Sequence, residues 1–345
     1  RQGSEYKDYG CNPCSEIVLR SKQFCNLTEV VVRPDDSFED LKRKVEHATI
    51  LGTLQATQTN FRYLSSTWKK NTEEEALLGV SFTGIMDHPV MSCKGSGSAE
   101  LDGTLPELLL EKWLSELKEV AIETNKEWAA KLGIRQAAAI TCVKPSGTVS
   151  QLVDSASGIH PRHNPYYVRT IRADKKDPLS KLMVDAGFPV EDCTMKPDTT
   201  YIFSFPMKAP DNSIYRNDRG AIEQLELWKI YQLNWCEHKP SITIYVKEEE
   251  WTEVLAWVDK NFDILSGVSF LPYDGGSYQQ APYQDIKDLY DDEGNLLFTA
   301  EEVYEQLLAE MPTDVDWSKL HEYENDDKAV TGTREFACTA NKCEL

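Results

Sequence analysis

The sequence predicts an α/β fold, because short apolar segments that suit buried strands alternate along the chain with longer segments that suit helices. The chain has 345 residues, of which 41% are hydrophobic, enough for a sizeable core in one large domain or two smaller ones. The predicted strands are 137–143 (AAAITCV), 199–205 (TTYIFSF), 241–246 (SITIYV) and 267–271 (GVSFL).

The helices are predicted from apolar periodicity and from residues that start or stop a helix. Ser37 caps a helix that runs to about Tyr63. A second helix opens near Thr104 with Pro106 in its first turn, and Gly133 stops it. The apolar stripe of the first helix consists of Leu41, Val45, Ala48, Leu51 and Leu54. Further helices are predicted at 179–186, 219–238, 248–261 and 299–311.

The net charge of −20 and the pI near 4.8 argue against a nucleic-acid-binding surface and against an anionic membrane partner. No apolar run approaches the roughly 20 residues that span a bilayer, and no signal-peptide pattern is present. The nine cysteines are an odd number and gather near the two ends, which favours reduced or redox-cycling thiols over structural disulfides. We therefore expect a soluble, cytoplasmic protein.

The segment CNPCSEI (11–17) concentrates reactive side chains. Pro13 disfavours a helical residue before it, so an extended or loop-like segment is expected. In an extended segment Asn12, Cys14 and Glu16 would share one face at intervals of about 6.5–7 Å. A carboxylate beside a thiol disfavours the thiolate, so this set suits a neutral hydrogen-atom donor or a radical beside a carboxylate base.

Two other interpretations of this segment remain open. One is a buried structural cysteine in a turn. The other is a metal site that uses the Cys-x-x-Cys of Cys11 and Cys14, although no second Cys or His pair stands at a zinc-finger spacing. We assign no metal ligands.

The motifs NPCSEI and FCNLTEV together resemble the active-site loop of ribonucleotide reductase large chains of the adenosylcobalamin-dependent (class II) branch. The resemblance implies that Cys14 becomes a thiyl radical, that Glu16 is the base at the 3′-hydroxyl and that Asn12 is its hydrogen-bond partner. It also implies that Cys25 is one of two thiols that supply reducing equivalents. Its partner in the resulting disulfide stays unassigned.

A second motif, KPSGTVSQLVDSASGIHP (144–161), resembles the substrate-phosphate loop of the same family. The matching positions are Ser146, Gly147, Thr148 and Val149. A strand that ends in a small, Gly-containing turn can also present successive amides to an anion on physical grounds alone. A plain strand-to-helix turn is the alternative.

The C-terminal CTANKCEL resembles the family's shuttle dithiol, which implies that Cys338 and Cys343 re-reduce the active-site disulfide from a flexible arm. Electrons would then come from thioredoxin or a similar dithiol. A stray pair of tail thiols is the alternative.

The resemblance covers essentially the whole chain, and the absence of the relay and glycyl-radical motifs of the other classes favours adenosylcobalamin as the cofactor. The text CNLTEVVV is similar to the monomeric members that reduce ribonucleoside triphosphates. A lone histidine such as His160 or His163 is expected to be a hydrogen-bonding residue rather than an axial cobalt ligand.

In this family the active-site loop sits on a finger inside a ten-stranded α/β barrel, so the resemblance implies that 1–285 is the second half of that barrel, with the finger at 11–17 and the phosphate loop at 144–150. A helical extension is expected at 286–313 and a mobile tail at 314–345. An N-terminal half is the expected partner, because a half-barrel leaves strand edges uncovered. The alternatives are a non-catalytic half-barrel subunit that binds a partner chain or a nucleotide, and a thiol–disulfide oxidoreductase.

Overall fold

The computed structural model describes residues 8–94, 105–273, 280–326, 338–339 and 342–343. The chain divides into two compact units, the first from residues 1–162 and 210–273 and the second from 163–209 and 274–345. The sequence had predicted one barrel region over 1–285. The second unit includes residues 163–209 of that region, and the predicted domain bounds stay a prediction.

The secondary structure alternates as the sequence predicted. The helices are α1 (Phe38–Gln55), α2 (Ser66–Glu75), α3 (Pro106–Leu132), α4 (Thr148–Leu152), α5 (Pro178–Asp185), α6 (Ala221–Asn234), α7 (Trp251–Lys260), α8 (Ala300–Ala309) and α9 (Leu320–Asp326). The strands are β1 (Tyr9–Cys11), β2 (Val18–Arg20), β3 (Asn26–Val31), β4 (Leu78–Thr83), β5 (Tyr166–Asp174), β6 (Val190–Asp192), β7 (Thr200–Lys208), β8 (Ile242–Val246), β9 (Val268–Pro272), β10 (Tyr283–Asp285), β11 (Leu289–Tyr290), β12 (Leu296–Phe298), β13 (Cys338–Thr339) and β14 (Lys342–Cys343).

Parallel strand pairing organises the first unit. Strand β3 pairs with β4 in parallel, and β8 pairs with β9 in parallel. The extended segment 139–143 joins the two pairs, because Thr141 bridges Val80 on one side and Val143 bridges Pro240 on the other, both in parallel. Five neighbouring parallel segments result, with a helix in each connection, so the α/β prediction is confirmed.

Helices α1, α3, α6 and α7 supply the core that covers these segments. Helix α1 begins at the predicted cap, where the Ser37 side chain accepts from the backbone of Asp40. The helix ends at Gln55 rather than near Tyr63, and Leu51 and Leu54 are exposed rather than part of the core. The predicted stripe was therefore too long, since only its first turns face the neighbouring helix and strands.

Helix α3 follows its prediction closely. It begins at Pro106, and Gly133 ends it in the left-handed conformation with φ of 69°. A residue with a side chain is strained at that φ, so the glycine is a conformational requirement here.

An antiparallel sheet forms the centre of the second unit, with strand order β10-β5-β7-β6. Strands β5 and β7 pair along nine residues each. Strand β5 was not predicted. Helix α9 lies within 314–345, the stretch predicted as a mobile tail. Part of that stretch, up to Asp326, is therefore helical. No helix in the described part of the chain is long and apolar enough to cross a membrane.

Candidate active site

The loop at 11–17 connects β1 and β2, which pair as an antiparallel hairpin. It is a tight turn, so of the extended and loop-like alternatives that the sequence left open the loop-like one is adopted. Ser15 donates its backbone N–H to the Asn12 carbonyl at 2.9 Å, and Ser15 has φ of 64°. Asn12 in turn donates its own N–H to the Ile17 carbonyl at 3.2 Å. Pro13 therefore occupies the second position of a turn, where its fixed φ is favourable.

The turn brings Asn12 and Glu16 into direct contact. The Asn12 side-chain amide donates to Glu16 Oε1 at 2.5 Å, while its Oδ1 accepts from the Ile17 backbone N–H at 3.0 Å. The amide orientation is thus set by the backbone. An orienting amide and a carboxylate were predicted to act together, and the structure places them together.

Glu16 is fully buried, with 0% of its surface exposed. Its Oε1 accepts from Asn12 and also from Lys144 Nζ, the latter at 2.9 Å. Its Oε2 has no hydrogen-bond partner among the described residues. A buried carboxylate oxygen without a donor can accept a proton, or a hydrogen bond from the hydroxyl of a bound molecule.

Lys144 joins this carboxylate to the cysteine. Burial acts to lower the pKa of the Lys144 ammonium, but the hydrogen bond and the charge of Glu16, together with Cys14, raise the pKa above its usual value. Cys14 is half-buried, so a ligand can reach its thiol. The same thiol contacts Lys144. A thiol, a carboxylate, an amide and an ammonium therefore lie in one small cluster.

Cys25 lies immediately before β3, close to the backbone of β4. A Cβ placed on Gly79 of β4 would lie 3.4 Å from Cys25 Sγ and 2.3 Å from a Leu27 methyl carbon. Gly79 therefore provides the space in which these side chains pack. Cys142 on the next parallel segment is fully buried, and burial, with the nearby Cys236 and Cys25, raises the pKa of its thiol well above the usual value.

The loop at 144–150 leads from the parallel segment 139–143 into α4. Ser146 is buried; its hydroxyl donates to Glu29 at 3.0 Å and accepts from the Ser150 backbone N–H at 3.0 Å. A Cβ on Gly147 would meet nothing within 4 Å, so this part of the loop borders open space. A cleft of about 440 Å³ lies there, lined by Leu27, Thr28, Glu29, Gly79, Ser81, Lys144, Ser146, Gly147, Thr148 and Val149.

Glu29 is a charged residue of this cleft that the sequence analysis assigned no role. Burial raises the pKa of its carboxyl, while the Ser146 hydrogen bond and the Lys144 charge act in the opposite direction. Its position in the motif FCNLTEV was the available signal. The contact with Ser146 joins residues 117 apart in sequence, so local pattern could not reveal it.

A buried ion pair holds the segment that follows the loop. Asp87 accepts from Arg162 Nε and Nη2, each at 2.9 Å, from the Ala156 N–H at 2.7 Å and from the Ser213 hydroxyl at 3.0 Å. Asp87 follows β4, and Arg162 is also bonded to Asp154 at 2.9 Å. This network attaches 154–162 to the end of β4.

The histidines after the loop have structural partners. His160 accepts from the Thr243 N–H through Nε2 at 3.0 Å and places Nδ1 at 3.1 Å from the Ser157 carbonyl, so both ring nitrogens are engaged. Burial lowers the pKa of His160. His163 belongs to the second unit, where it lies 2.8 Å from Asp285. The described part of the chain contains no cluster of three or more His, Cys, Asp or Glu side chains suited to a metal ion.

The two tail cysteines pair through their backbones, since β13 and β14 are antiparallel with Cys338 opposite Cys343. Their side chains and their neighbours 340–341 lie outside the described residues. The shuttle role predicted for them stays a prediction.

Comparison with known proteins shows what the whole chain is similar to. No protein-family model matches the chain. An adenosylcobalamin-dependent ribonucleoside-triphosphate reductase of Euglena gracilis is 28% identical over 344 residues, covering 98% of this chain and 43% of the relative. The corresponding reductase of Lactobacillus leichmannii is 27% identical over 320 residues, covering 86% of this chain and 42% of the relative.

A solved B12-dependent (class II) ribonucleotide reductase superposes with a TM-score of 0.72 at 25% identity, over 93% of this chain and 45% of that one. The chain is a homologue of the class II ribonucleotide reductases. It spans less than half the length of the curated reductases that it matches. The recognition from the motifs at 11–17, 144–161 and the C-terminus is thereby confirmed.

Proposed function

We propose that this chain carries the radical-bearing part of an adenosylcobalamin-dependent ribonucleoside-triphosphate reductase, which converts ribonucleotides to 2′-deoxyribonucleotides. The observation that carries the proposal is the cluster of Asn12, Cys14 and Glu16, with the free carboxylate oxygen of a fully buried glutamate beside a half-buried thiol. A radical and a base must act together on one sugar for this reaction. The homology to the class II reductases supports the same chemistry.

In this reaction a thiyl radical at Cys14 removes the hydrogen atom from C3′ of the ribose, and Glu16 accepts the proton of the 3′-hydroxyl. The 2′-hydroxyl takes a proton from a thiol and leaves as water. Cys25 and a second thiol supply that proton, one hydrogen for C2′ and two electrons in total, and become a disulfide. Glu16 returns its proton to the 3′ oxygen, and Cys14 finally returns its hydrogen atom to C3′, which restores the thiyl radical.

Adenosylcobalamin, when bound, supplies the radical that oxidises the Cys14 thiol, by homolysis of its cobalt–carbon bond. The half-buried position of Cys14 is compatible with such a group facing the thiol. His160 does not fit as a cobalt ligand, because both of its ring nitrogens are already engaged. Cys14 is thus the residue of this chain that we place against the cofactor.

The cleft at 144–150 is the proposed site for the substrate phosphates. Gly147, Thr148 and Val149 are exposed at its rim, where backbone N–H groups can meet phosphate oxygens. The Ser146 hydroxyl donates to Glu29 and accepts from the Ser150 N–H, and these two hydrogen bonds anchor the loop. Cys338 and Cys343 are proposed to re-reduce the disulfide of Cys25, with thioredoxin or a similar dithiol as the electron donor.

The five parallel segments are proposed to form one half of a ten-stranded barrel, with the loop at 11–17 as its finger. Among the described residues, β3 pairs only with β4 and β9 only with β8. Leu27 on β3 and Leu271 on β9 are exposed large apolar residues. Unpaired edges of this kind favour pairing with further strands, so we propose that an N-terminal half completes the barrel.

The test combines this chain with the N-terminal part of a class II reductase, adenosylcobalamin, a ribonucleoside triphosphate and a dithiol, and measures the deoxyribonucleotide formed. We expect turnover for the wild type and for Cys11→Ser, which changes the neighbouring exposed thiol. Cys14→Ser should abolish it. Turnover that survives Cys14→Ser would refute the radical assignment, and nucleotide binding without any turnover would support a non-catalytic subunit.

A further inference from the structure

We propose that Lys144 is a positioning residue that holds Glu16 in its orientation beside Cys14 and leaves Glu16 Oε2 without a donor from the described residues. This inference deepens the proposed reductase function and rests on it. It concerns a contact between residues 128 apart in sequence, which no motif of the chain assigns.

The first support is the geometry of the ion pair. Lys144 Nζ donates to Glu16 Oε1 at 2.9 Å, and the Glu16 side chain is 0% exposed while that of Lys144 is 32% exposed. Because Lys144 and Asn12 both bind Oε1, the remaining oxygen keeps no donor from the described residues. The cation therefore neutralises the carboxylate without occupying the oxygen that would receive a proton.

The second support is the fixed backbone of Lys144. Its N–H donates to Ser81 Oγ at 2.8 Å. A Cβ on Gly158 would lie 2.5 Å from the Lys144 carbonyl oxygen, so the chain packs tightly against that side as well. The Lys144 backbone is therefore held between β4 and the segment after the phosphate loop. This limits the positions that the Lys144 ammonium can take.

The third support is the balance of charge around the ammonium. The titratable groups that face Lys144 are Glu16 and Cys14 from the finger loop, Glu29 from β3, and Cys142 from its own segment. None of these is a second cation. Without Lys144, the fully buried Glu16 would keep only the Asn12 amide, and a buried charge lacking its partner is strongly unfavourable.

Glu16 would then turn away from its present position. A rotated carboxyl no longer lies beside Cys14, and this impairs the step assigned to Glu16, although Lys144 itself does not touch the reacting atoms. That is why we describe it as positioning rather than catalytic.

The variants for the test are Lys144→Met, which keeps the apolar stem and removes the charge, and Lys144→Arg, which keeps the charge. The matched control is Lys44→Met. Lys44 forms an ion pair with Asp36 in the same unit, and its side chain is 31% exposed, almost as Lys144 is. A general loss of ion pairing would affect this control as well.

The first measurement needs no turnover. Thermal unfolding of the chain is followed in wild type, Lys144→Met, Glu16→Gln and the double variant. A buried carboxylate that loses its cation is destabilising, whereas a neutral amide needs no cation. We expect Lys144→Met to lower Tm, and this loss to disappear in the Glu16→Gln background.

The second measurement is the alkylation of Cys14 by iodoacetamide at pH 8, read by peptide mass spectrometry. Lys144 contacts the Cys14 thiol as well as Glu16, so Lys144→Met should change the rate of alkylation at least threefold. Lys144→Arg keeps the cation and Lys44→Met lies elsewhere, so both should remain within about 1.5-fold of wild type. A purely structural role would not separate these variants.

The third measurement is turnover with the completing half. Lys144→Met should lower kcat at least tenfold with KM changed less than threefold, and Lys144→Arg should restore most of it. Absence of turnover in wild type would refute the proposed function, while unfolding and alkylation still decide the role of Lys144. Unfolding and alkylation that are the same in Lys144→Met as in Lys44→Met would overturn the inference.

Discussion

The buried pair of Asp87 and Arg162 tests how the segment after the loop at 144–150 is held. Asp87→Asn preserves the size of the side chain and removes its charge. Asp87 and Arg162 are only 4% and 5% exposed, so solvent cannot replace the lost interaction. The change should therefore affect the end of β4 and the segment 154–162 together.

The expected loss of unfolding free energy follows from the four hydrogen bonds that Asp87 accepts. The two Arg162 contacts at 2.9 Å are charge-assisted, and the Ala156 N–H and the Ser213 hydroxyl complete the shell. Removing one partner of a buried pair destabilises by about 3–5 kcal/mol. Arg162 would keep Asp154, whose side chain is 58% exposed, so the lower part of that range, about 3 kcal/mol, is expected.

Urea unfolding followed by tryptophan fluorescence measures this loss of stability. Of the eight tryptophans only Trp317 belongs to the second unit, so the signal reports mainly on the first. Glu123→Gln is the control, because its ion pair with Lys126 is exposed and should contribute less than about 0.5 kcal/mol. A loss below about 1 kcal/mol for Asp87→Asn would refute the reasoning from burial and hydrogen bonding.

Three further predictions concern the cleft and its surroundings. Glu29→Gln should tighten ribonucleoside-triphosphate binding several-fold at pH 8 by calorimetry, and the difference should narrow as the pH falls, because burial raises the pKa of Glu29 above that of an ordinary carboxyl. Gly84→Ala should destabilise by about 2 kcal/mol or more in urea, since φ is +83° and the new Cβ would lie 2.3 Å from the Val32 carbonyl oxygen. In peptide mapping at pH 8, exposed Cys11 should be alkylated at least tenfold faster than Cys142, because burial raises the pKa of the Cys142 thiol. Equal rates of alkylation would contradict the burial of Cys142.

The sequence predicted much of the fold because local signals specify helices and strands. The predicted strand at 241–246 is β8, and the helix opened by Pro106 and closed by Gly133 is α3. Proline and glycine act on their own φ angles, so their effect can be read without any distant residue. The C-terminal limit of α1 was misplaced, because the exposure of Leu51 and Leu54 depends on what packs against them.

The candidate site was predicted in part. Asn12, Cys14 and Glu16 were identified from residue type and spacing, and the structure brings Asn12 and Glu16 together. The sequence left an extended and a loop-like conformation open, and the structure has a turn with Ser15 in the left-handed region. Proline is compatible with both an extended strand and the second position of a turn, so Pro13 alone could not distinguish them.

The sequence by itself determined which chemical groups the protein has and where several of its elements lie, such as α3 and β8, because both depend on neighbouring residues. Only the tertiary structure decided which distant groups meet. Parallel pairing of β3, β4 and the segment 139–143 brings Lys144 to Glu16 and Ser146 to Glu29, although each pair is more than a hundred residues apart. Such contacts depend on strand order and register, which no local pattern encodes.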